Sequence, residues 1–121
     1  HDDQSINKQV KHMKETFETT ANELGGQAEV LVEKSYPGFE VNETDKVTQY
    51  AISSALALGL KGDTCIAGGG SDGNIMNQYG IPSVILGVGY ENIHTTSERI
   101  AIKDMYMLTR QIIKIIELVA E

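Results

Sequence analysis

Glycine is concentrated in one short part of this chain, and that distribution limits what the chain can fold into. Of the 12 glycines among the 121 residues, nine lie between Gly59 and Gly89. Glycine interrupts regular helices and strands, and it lets the backbone turn tightly or approach a ligand closely. The middle of the chain is therefore predicted to consist of short elements joined by tight loops. Any functional site is expected in those loops.

Outside that region, the spacing of apolar residues predicts helices. Apolar side chains recur at three- and four-residue steps near both ends of the chain and after residue 44, which is the spacing of one helix face. The predicted helices cover 6–24, 44–58, 75–79 and 104–119, with Gly25-Gly26 ending the first, Gly59 as C-cap of the second and Asp104 capping the last. The buried face of the last helix is predicted to contain Met105, Leu108, Ile112, Ile115 and Val119.

Three short apolar runs predict β-strands at 28–33, 64–67 and 82–87. Cys65 lies inside the second run and is expected to be a small core residue. From residue 44 onward the elements alternate between helix and strand with short connections. This alternation predicts an α/β fold with a parallel or mixed sheet.

The composition excludes some classes of function. The formal net charge of −7 argues against a nucleic-acid partner, because phosphate-binding surfaces carry an excess of Lys and Arg. No apolar run approaches the roughly 20 residues of a membrane span, so no membrane partner is expected. The single cysteine cannot form an internal disulfide, and a free thiol fits a reducing, cytoplasmic setting.

The loop Gly68–Asn74 lies between a predicted strand and a predicted helix. Unobstructed N–H groups at such a position can hold an anion. Because no Lys or Arg stands in the loop, a carboxylate or a peptide oxyanion fits better than a di- or triphosphate. The alternative interpretation is a tight turn in which Ser71 only caps the following helix.

His94 lies in a loop after the last predicted strand, the position at which α/β sheets place their sites. A neutral imidazole there could bind a metal or move a proton, and Glu98 could orient the ring as a hydrogen-bond acceptor. The alternative is an ordinary surface histidine, as His12 is expected to be. A catalytic metal needs about three protein ligands, and no other clustered ligands accompany His94.

Several motifs occur in a fixed order along the chain: Gly69-Gly70-Ser71-Asp72-Gly73-Asn74, Gly80-Ile81-Pro82, Leu86-Gly87-x-Gly89, His94-Thr95-Thr96-x-Glu98 and Ile100-x-Ile102. This ordered set resembles the C-terminal part of the zinc exopeptidase family that contains peptidase T, aminoacylase and succinyl-diaminopimelate desuccinylase. The Gly-Gly-Gly-Ser-Asp and His-Thr-Thr forms are most similar to peptidase T-like tripeptidases. The upstream helix, β-run and Tyr36-Pro37-Gly38-Phe39 resemble the second half of the family's lid domain.

The resemblance implies that residues 1–40 form part of an inserted α+β lid or dimerisation domain. Residues 41–121 would then be the C-terminal part of an α/β catalytic domain. It also implies a site for two divalent metal ions, most readily zinc, to which this chain supplies one ligand, His94. The substrate-facing residues would be Gly69, Gly70, Ser71 and Asn74.

The general base and the remaining ligands would precede this chain, so the chain alone is expected to hydrolyse nothing. Its expected partners are a short peptide, the missing N-terminal catalytic part, and a second copy in a homodimer or swapped assembly. The competing hypothesis is a non-catalytic α/β module that holds an anion at Gly68–Asn74.

Overall fold

The computed structural model describes residues 2–121 and contains four α-helices joined by extended and turning segments. His1, where the first predicted domain begins, lies outside the described residues. The helices are α1 (Asp3–Glu23), α2 (Lys46–Ala57), α3 (Asp72–Gln78) and α4 (Ile102–Ala120). None of the four has the length and apolar character that crossing a membrane requires.

All four predicted helices are present, and their C-terminal ends agree with the prediction. α1 ends just before Gly25, and the backbone leaves α2 through Gly59, whose φ of 71° lies in the left-handed region that glycine tolerates. The predicted cap of the last helix is wrong. α4 begins at Ile102 with Ala101 as its N-cap, which places Asp104 within the first turn.

The predicted α/β fold is wrong for this structure. Segments 28–33, 64–67 and 82–87 form no strands, and within residues 2–121 the only β-pairing is an isolated antiparallel bridge between Glu91 and Arg99. A strand requires a neighbouring backbone for its N–H and C=O groups, and these segments do not pair with one another. Ile66 is 95% exposed and Cys65 is also exposed, so the predicted buried strand and core cysteine are wrong too.

The chain divides into two compact units. One unit runs to Glu40 and includes Gly70–Gly80, so it contains α1 and α3. The other comprises Val41–Gly69 and Ile81–Glu121, and it contains α2 and α4. The assignment of residues 1–40 to a lid and 41–121 to a catalytic domain stays a prediction, because compactness does not reveal a domain's role.

The core of the second unit is the contact between α2 and α4. On α2, Ser54 is fully buried and Ala55 is 5% exposed, and the Ser54 hydroxyl donates to the carbonyl of Ala51 at 2.8 Å. On α4, the buried Gln111 donates from Nε2 to the same carbonyl at 3.3 Å. Small residues on α2 thus let the two helices approach closely and share one polar contact.

The buried face of α4 is rotated from the predicted one. Leu108 and Ile115 are partly buried as expected, but Gln111 is the most buried α4 residue. Three other predicted core residues are about half exposed: Met105, Ile112 and Val119. Part of the apolar stripe of α4 therefore stays exposed within residues 2–121.

In the first unit, α1 has no buried residue. Its predicted apolar face exists, but its larger side chains remain exposed: Ile6 (38%), Met13 (47%), Phe17 (56%) and Leu24 (82%), the last as C-cap. Lys34 Nζ pairs with Asp3 Oδ1 at 2.9 Å near the start of the helix. The helical periodicity therefore predicted α1 correctly, although the larger side chains of its apolar face stay exposed.

Candidate substrate-binding and metal-binding loops

The glycine-rich loop is divided between the two units, with Gly69 as the last residue of one segment and Gly70 as the first of the next. Gly68 and Gly69 end a segment of the second unit, and their N–H groups are not used in any hydrogen bond of the described residues. Gly70, Ser71 and Asn74 belong to the first unit, and Gly70 also keeps its N–H open. Open N–H groups on exposed glycines are available to a carboxylate or a carbonyl oxygen.

Ser71 and Asn74 together form the start of α3. Ser71 is the N-cap residue, and its N–H donates to Asn74 Oδ1 at 2.9 Å. The backbone N–H of Asn74 donates in return to the carbonyl of Ser71 at 3.0 Å. Ser71 therefore caps α3, as the alternative interpretation of this loop predicted. This capping does not exclude a role in binding, because the Ser71 residue itself is exposed.

Two further residues contact this start of α3, and neither was predicted to belong to the site. Asn74, only 6% exposed, donates from Nδ2 to the carbonyl of Pro37 at 2.8 Å. The ring of Tyr36 lies against Gly70 so closely that an added Cβ would overlap it, with Tyr36 Cε1 at 2.7 Å. The sequence analysis singled out the Tyr36-Pro37-Gly38-Phe39 motif, but the residues that it contacts could not be inferred from spacing.

His94 lies in the second unit, in the loop formed by residues 91–99. Glu91 N–H donates to the carbonyl of Arg99 at 2.8 Å, and Arg99 N–H donates back to the carbonyl of Glu91 at 3.1 Å. The two side chains also form an ion pair. These contacts close the 91–99 loop at its base. A small cavity of about 150 Å³ adjoins the base and reaches Gly89 and Asp104.

His94 itself has an unusual backbone conformation. Its φ is 62°, and that of Asn92 is 54°, so both residues occupy the left-handed region. For an L-residue other than glycine this conformation costs on the order of 1–2 kcal/mol, and Asn tolerates it better than His does. His94 is exposed, and no hydrogen bond of residues 2–121 engages its imidazole. The ring is thus free to take a ligand or a metal.

Glu98 is close to His94, as predicted, but it contacts a different group. Its Oε2 accepts the backbone N–H of His94 at 2.7 Å. The prediction had the carboxylate accept from the imidazole ring, and in this structure it accepts from the main chain. The arrangement restrains the His94 backbone and leaves the direction of the ring to the side-chain torsions.

The described residues do not assemble a complete metal site. Within residues 2–121, no group of three or more His, Cys, Asp or Glu side chains converges on one point. An exposed, unengaged imidazole suits the role of one ligand, whereas a catalytic metal needs about three from the protein. Residues 2–121 thus offer His94 as a single candidate ligand and not a complete metal site.

The profile of the peptidase family M20/M25/M40 matches residues 4–118, nearly the whole chain. The chain belongs to this family. The resemblance predicted from the ordered loop motifs is therefore confirmed.

Two solved peptidase structures superpose on the chain. A tripeptidase from Staphylococcus aureus shares 59% identity with a TM-score of 0.90, and the match covers 99% of this chain and 32% of that one. Aminopeptidase PepT from Bacillus cereus shares 42% identity with a TM-score of 0.81 and the same two coverages. The uncharacterized Bacillus subtilis protein YqjE is 41% identical over 109 residues, 90% of this chain and 29% of that protein. This M20-family chain spans about a third of the length of the relatives it matches.

Proposed function

We propose that this chain is the carboxyl-terminal part of a metal-dependent aminopeptidase that hydrolyses short peptides such as tripeptides. The observation that carries the proposal is the 59% identity to the staphylococcal tripeptidase over 99% of the chain. The chain alone is inactive in this proposal, because it holds one candidate metal ligand and no converging group of acidic residues among residues 2–121.

In this proposal His94 supplies one nitrogen ligand to a pair of divalent ions, with zinc as the first choice. Its exposed and unengaged imidazole supports that role. Metal ions in such a pair polarise the scissile carbonyl and lower the pKa of a bound water. The general base and the other ligands come from polypeptide outside this chain.

The substrate-facing role is proposed for Gly69, Gly70 and Ser71, with Asn74 supporting them. The open N–H groups of the two glycines support contact with the peptide's backbone or terminal carboxylate. Asn74 is buried, and both ends of its amide are engaged within the first unit. Its part in the site is therefore to hold the shape of the loop.

Two properties of the whole enzyme belong to the proposal as well. The exposed apolar face of α1 supports a homodimer or swapped assembly in which a second copy covers Met13 and Phe17. An exposed free thiol at Cys65 supports a reducing, cytoplasmic location. The competing hypothesis, an anion-binding module without chemistry, stays a prediction, and membership of a peptidase family favours the enzyme.

The test is a fusion enzyme in which this chain replaces the matching third of the staphylococcal tripeptidase. We expect the zinc-loaded fusion to release the amino-terminal residue from tripeptides, while the 121-residue chain alone releases none. His94→Ala should lower kcat/KM at least about 100-fold, comparable to the loss of a group acting directly in catalysis. His12→Ala is the matched control, because His12 lies exposed on α1. A folded, zinc-binding fusion without peptidase activity would contradict the proposal.

A further inference from the structure

The 91–99 loop has a defined shape even though every one of its residues is exposed. Packing against a core therefore cannot be what determines its conformation. The two left-handed residues, Asn92 and His94, make the conformation unfavourable for an unrestrained chain. The hydrogen bonds within the loop must supply the restraint.

These hydrogen bonds act at three levels. At the base, Glu91 and Arg99 are joined by paired backbone bonds and by their ion pair. In the middle, Thr95 Oγ1 donates to the carbonyl of Asn92 at 2.7 Å, and Thr95 N–H donates to the same carbonyl at 3.2 Å. At the tip, Glu98 Oε2 accepts the N–H of His94 at 2.7 Å. Each bond stabilises one part of the turn that presents the imidazole.

We propose that Glu98 is a positioning residue that acts on His94 through its backbone, and that the Glu91–Arg99 pair closes the loop so that His94 is preorganised. The inference rests on the proposed function, in which His94 is a metal ligand. It differs from the expectation that Glu98 orients the ring. A carboxylate bonded to the main-chain N–H fixes the backbone torsions from which the side chain projects, whether or not a metal is present.

Glu98→Gln separates the two roles. A glutamine side chain keeps an oxygen that can accept the His94 N–H, so a backbone role predicts zinc affinity within about threefold of wild type. A ring-orienting carboxylate predicts a loss of about 10- to 100-fold in the same variant. Glu98→Ala removes the acceptor of the His94 N–H, and we expect zinc affinity to fall by about tenfold or more. Zinc affinity of the fusion enzyme is measured by competition with a chelator.

Amide hydrogen exchange of the metal-free fusion enzyme supplies a second readout. Glu98→Ala should raise the exchange rate of the His94 amide at least about tenfold, and Glu98→Gln should change it little. Arg99→Ala should also speed exchange across the 91–99 loop, and the charge reversal Glu91→Arg with Arg99→Glu should restore protection. Lys114→Ala is the matched control, because it breaks an exposed ion pair on α4 and should change neither readout.

The two proposals fail differently. If His94→Ala leaves zinc affinity unchanged, the proposed function is wrong. If His94→Ala lowers affinity but Glu98→Ala alters neither affinity nor exchange, the positioning role is wrong. The positioning role is equally wrong if Glu98→Gln loses as much affinity as Glu98→Ala while the His94 amide stays protected in both.

Discussion

The side chain of Asn74 connects α3 to Pro37, a residue 37 positions earlier in the chain. Asn74 Nδ2 donates to the Pro37 carbonyl at 2.8 Å, and Asn74 Oδ1 accepts the N–H of Ser71 at 2.9 Å. Since Asn74 is only 6% exposed, water cannot readily replace either bond. The segment Tyr36-Pro37 and the start of α3 therefore form one local arrangement within the first unit.

Removal of the Asn74 amide should destabilise this arrangement. Asn74→Ala leaves the Pro37 carbonyl and the Ser71 N–H without partners, and we expect a loss of about 2–6 kcal/mol in the free energy of unfolding, at about 1–3 kcal/mol for each unpaired group. Urea unfolding of the fusion enzyme measures this loss of stability. Gln78→Ala on the same helix is the control, because Gln78 is exposed. Equal effects of the two substitutions would contradict the prediction.

The close approach of Tyr36 should make Gly70 intolerant of any side chain. A Cβ at Gly70 would overlap the Tyr36 ring, so Gly70→Ala should destabilise the protein by about 1–3 kcal/mol. Adding Tyr36→Ala should recover most of that loss, because the ring is then absent. Gly68→Ala is the control, since its added Cβ would have no heavy atom within 4 Å. Thermal unfolding of these variants measures the changes in stability. If the double variant loses the sum of the stability losses of Tyr36→Ala and Gly70→Ala, the two residues are not in contact as described.

Neighbouring serines on α2 should respond differently to a larger side chain. Ser54 is fully buried in the α2–α4 contact, whereas Ser53 is exposed. Ser54→Leu should overpack the contact and cost about 1–3 kcal/mol or more. Ser53→Leu should change stability by no more than about 0.5 kcal/mol. If denaturant unfolding gives equal midpoints for both variants, the α2–α4 contact is not packed as described.

The stability of the first turn of α1 should depend on pH through the ionisation of Asp2. The backbone N–H of Ser5 donates to the Asp2 carboxylate at 2.8 Å, and that hydrogen bond lowers the pKa of Asp2. A lowered folded-state pKa means that the stabilisation is complete above the usual pKa of aspartate and is lost as the pH falls through the lowered value. The Ser5 amide should therefore lose protection from hydrogen exchange on acidification.

The uncharged variant Asp2→Asn provides the comparison for that measurement. Asparagine caps helices about as well as aspartate but does not titrate in this range. The Ser5 amide should then keep its protection as the pH falls. An identical acid dependence in the wild type and in Asp2→Asn would show that Asp2 is not responsible.

The helices were predictable because their limits depend on local interactions. A 3.6-residue apolar period and a glycine after the last turn are both visible in 6–24 and in 44–58, and both helices formed with nearly the predicted ends. The face that α4 buries was less predictable. Its apolar stripe includes Met105, Leu108 and Ile112, and only the approach of α2 decides which of these is covered.

The family was predictable from the ordered motifs, whereas the contacts of the candidate site residues were not. The ordered motifs by themselves indicated the family and singled out His94 and Glu98. They could not show that Glu98 binds the main chain of His94, because ring and backbone contacts are compatible with the same short sequence separation. The contact of Tyr36 with Gly70 was unpredictable for another reason: nothing in a sequence records which distant side chain lies over a given glycine.

Local sequence thus determined that the four helices form and where they end, and it placed His94 in a loop. The tertiary structure alone decided that the apolar runs 28–33, 64–67 and 82–87 remain extended segments and not strands. A helix satisfies its own backbone groups, so its residues suffice to specify it. A strand takes its partners from elsewhere, and the partner is a property of the whole fold.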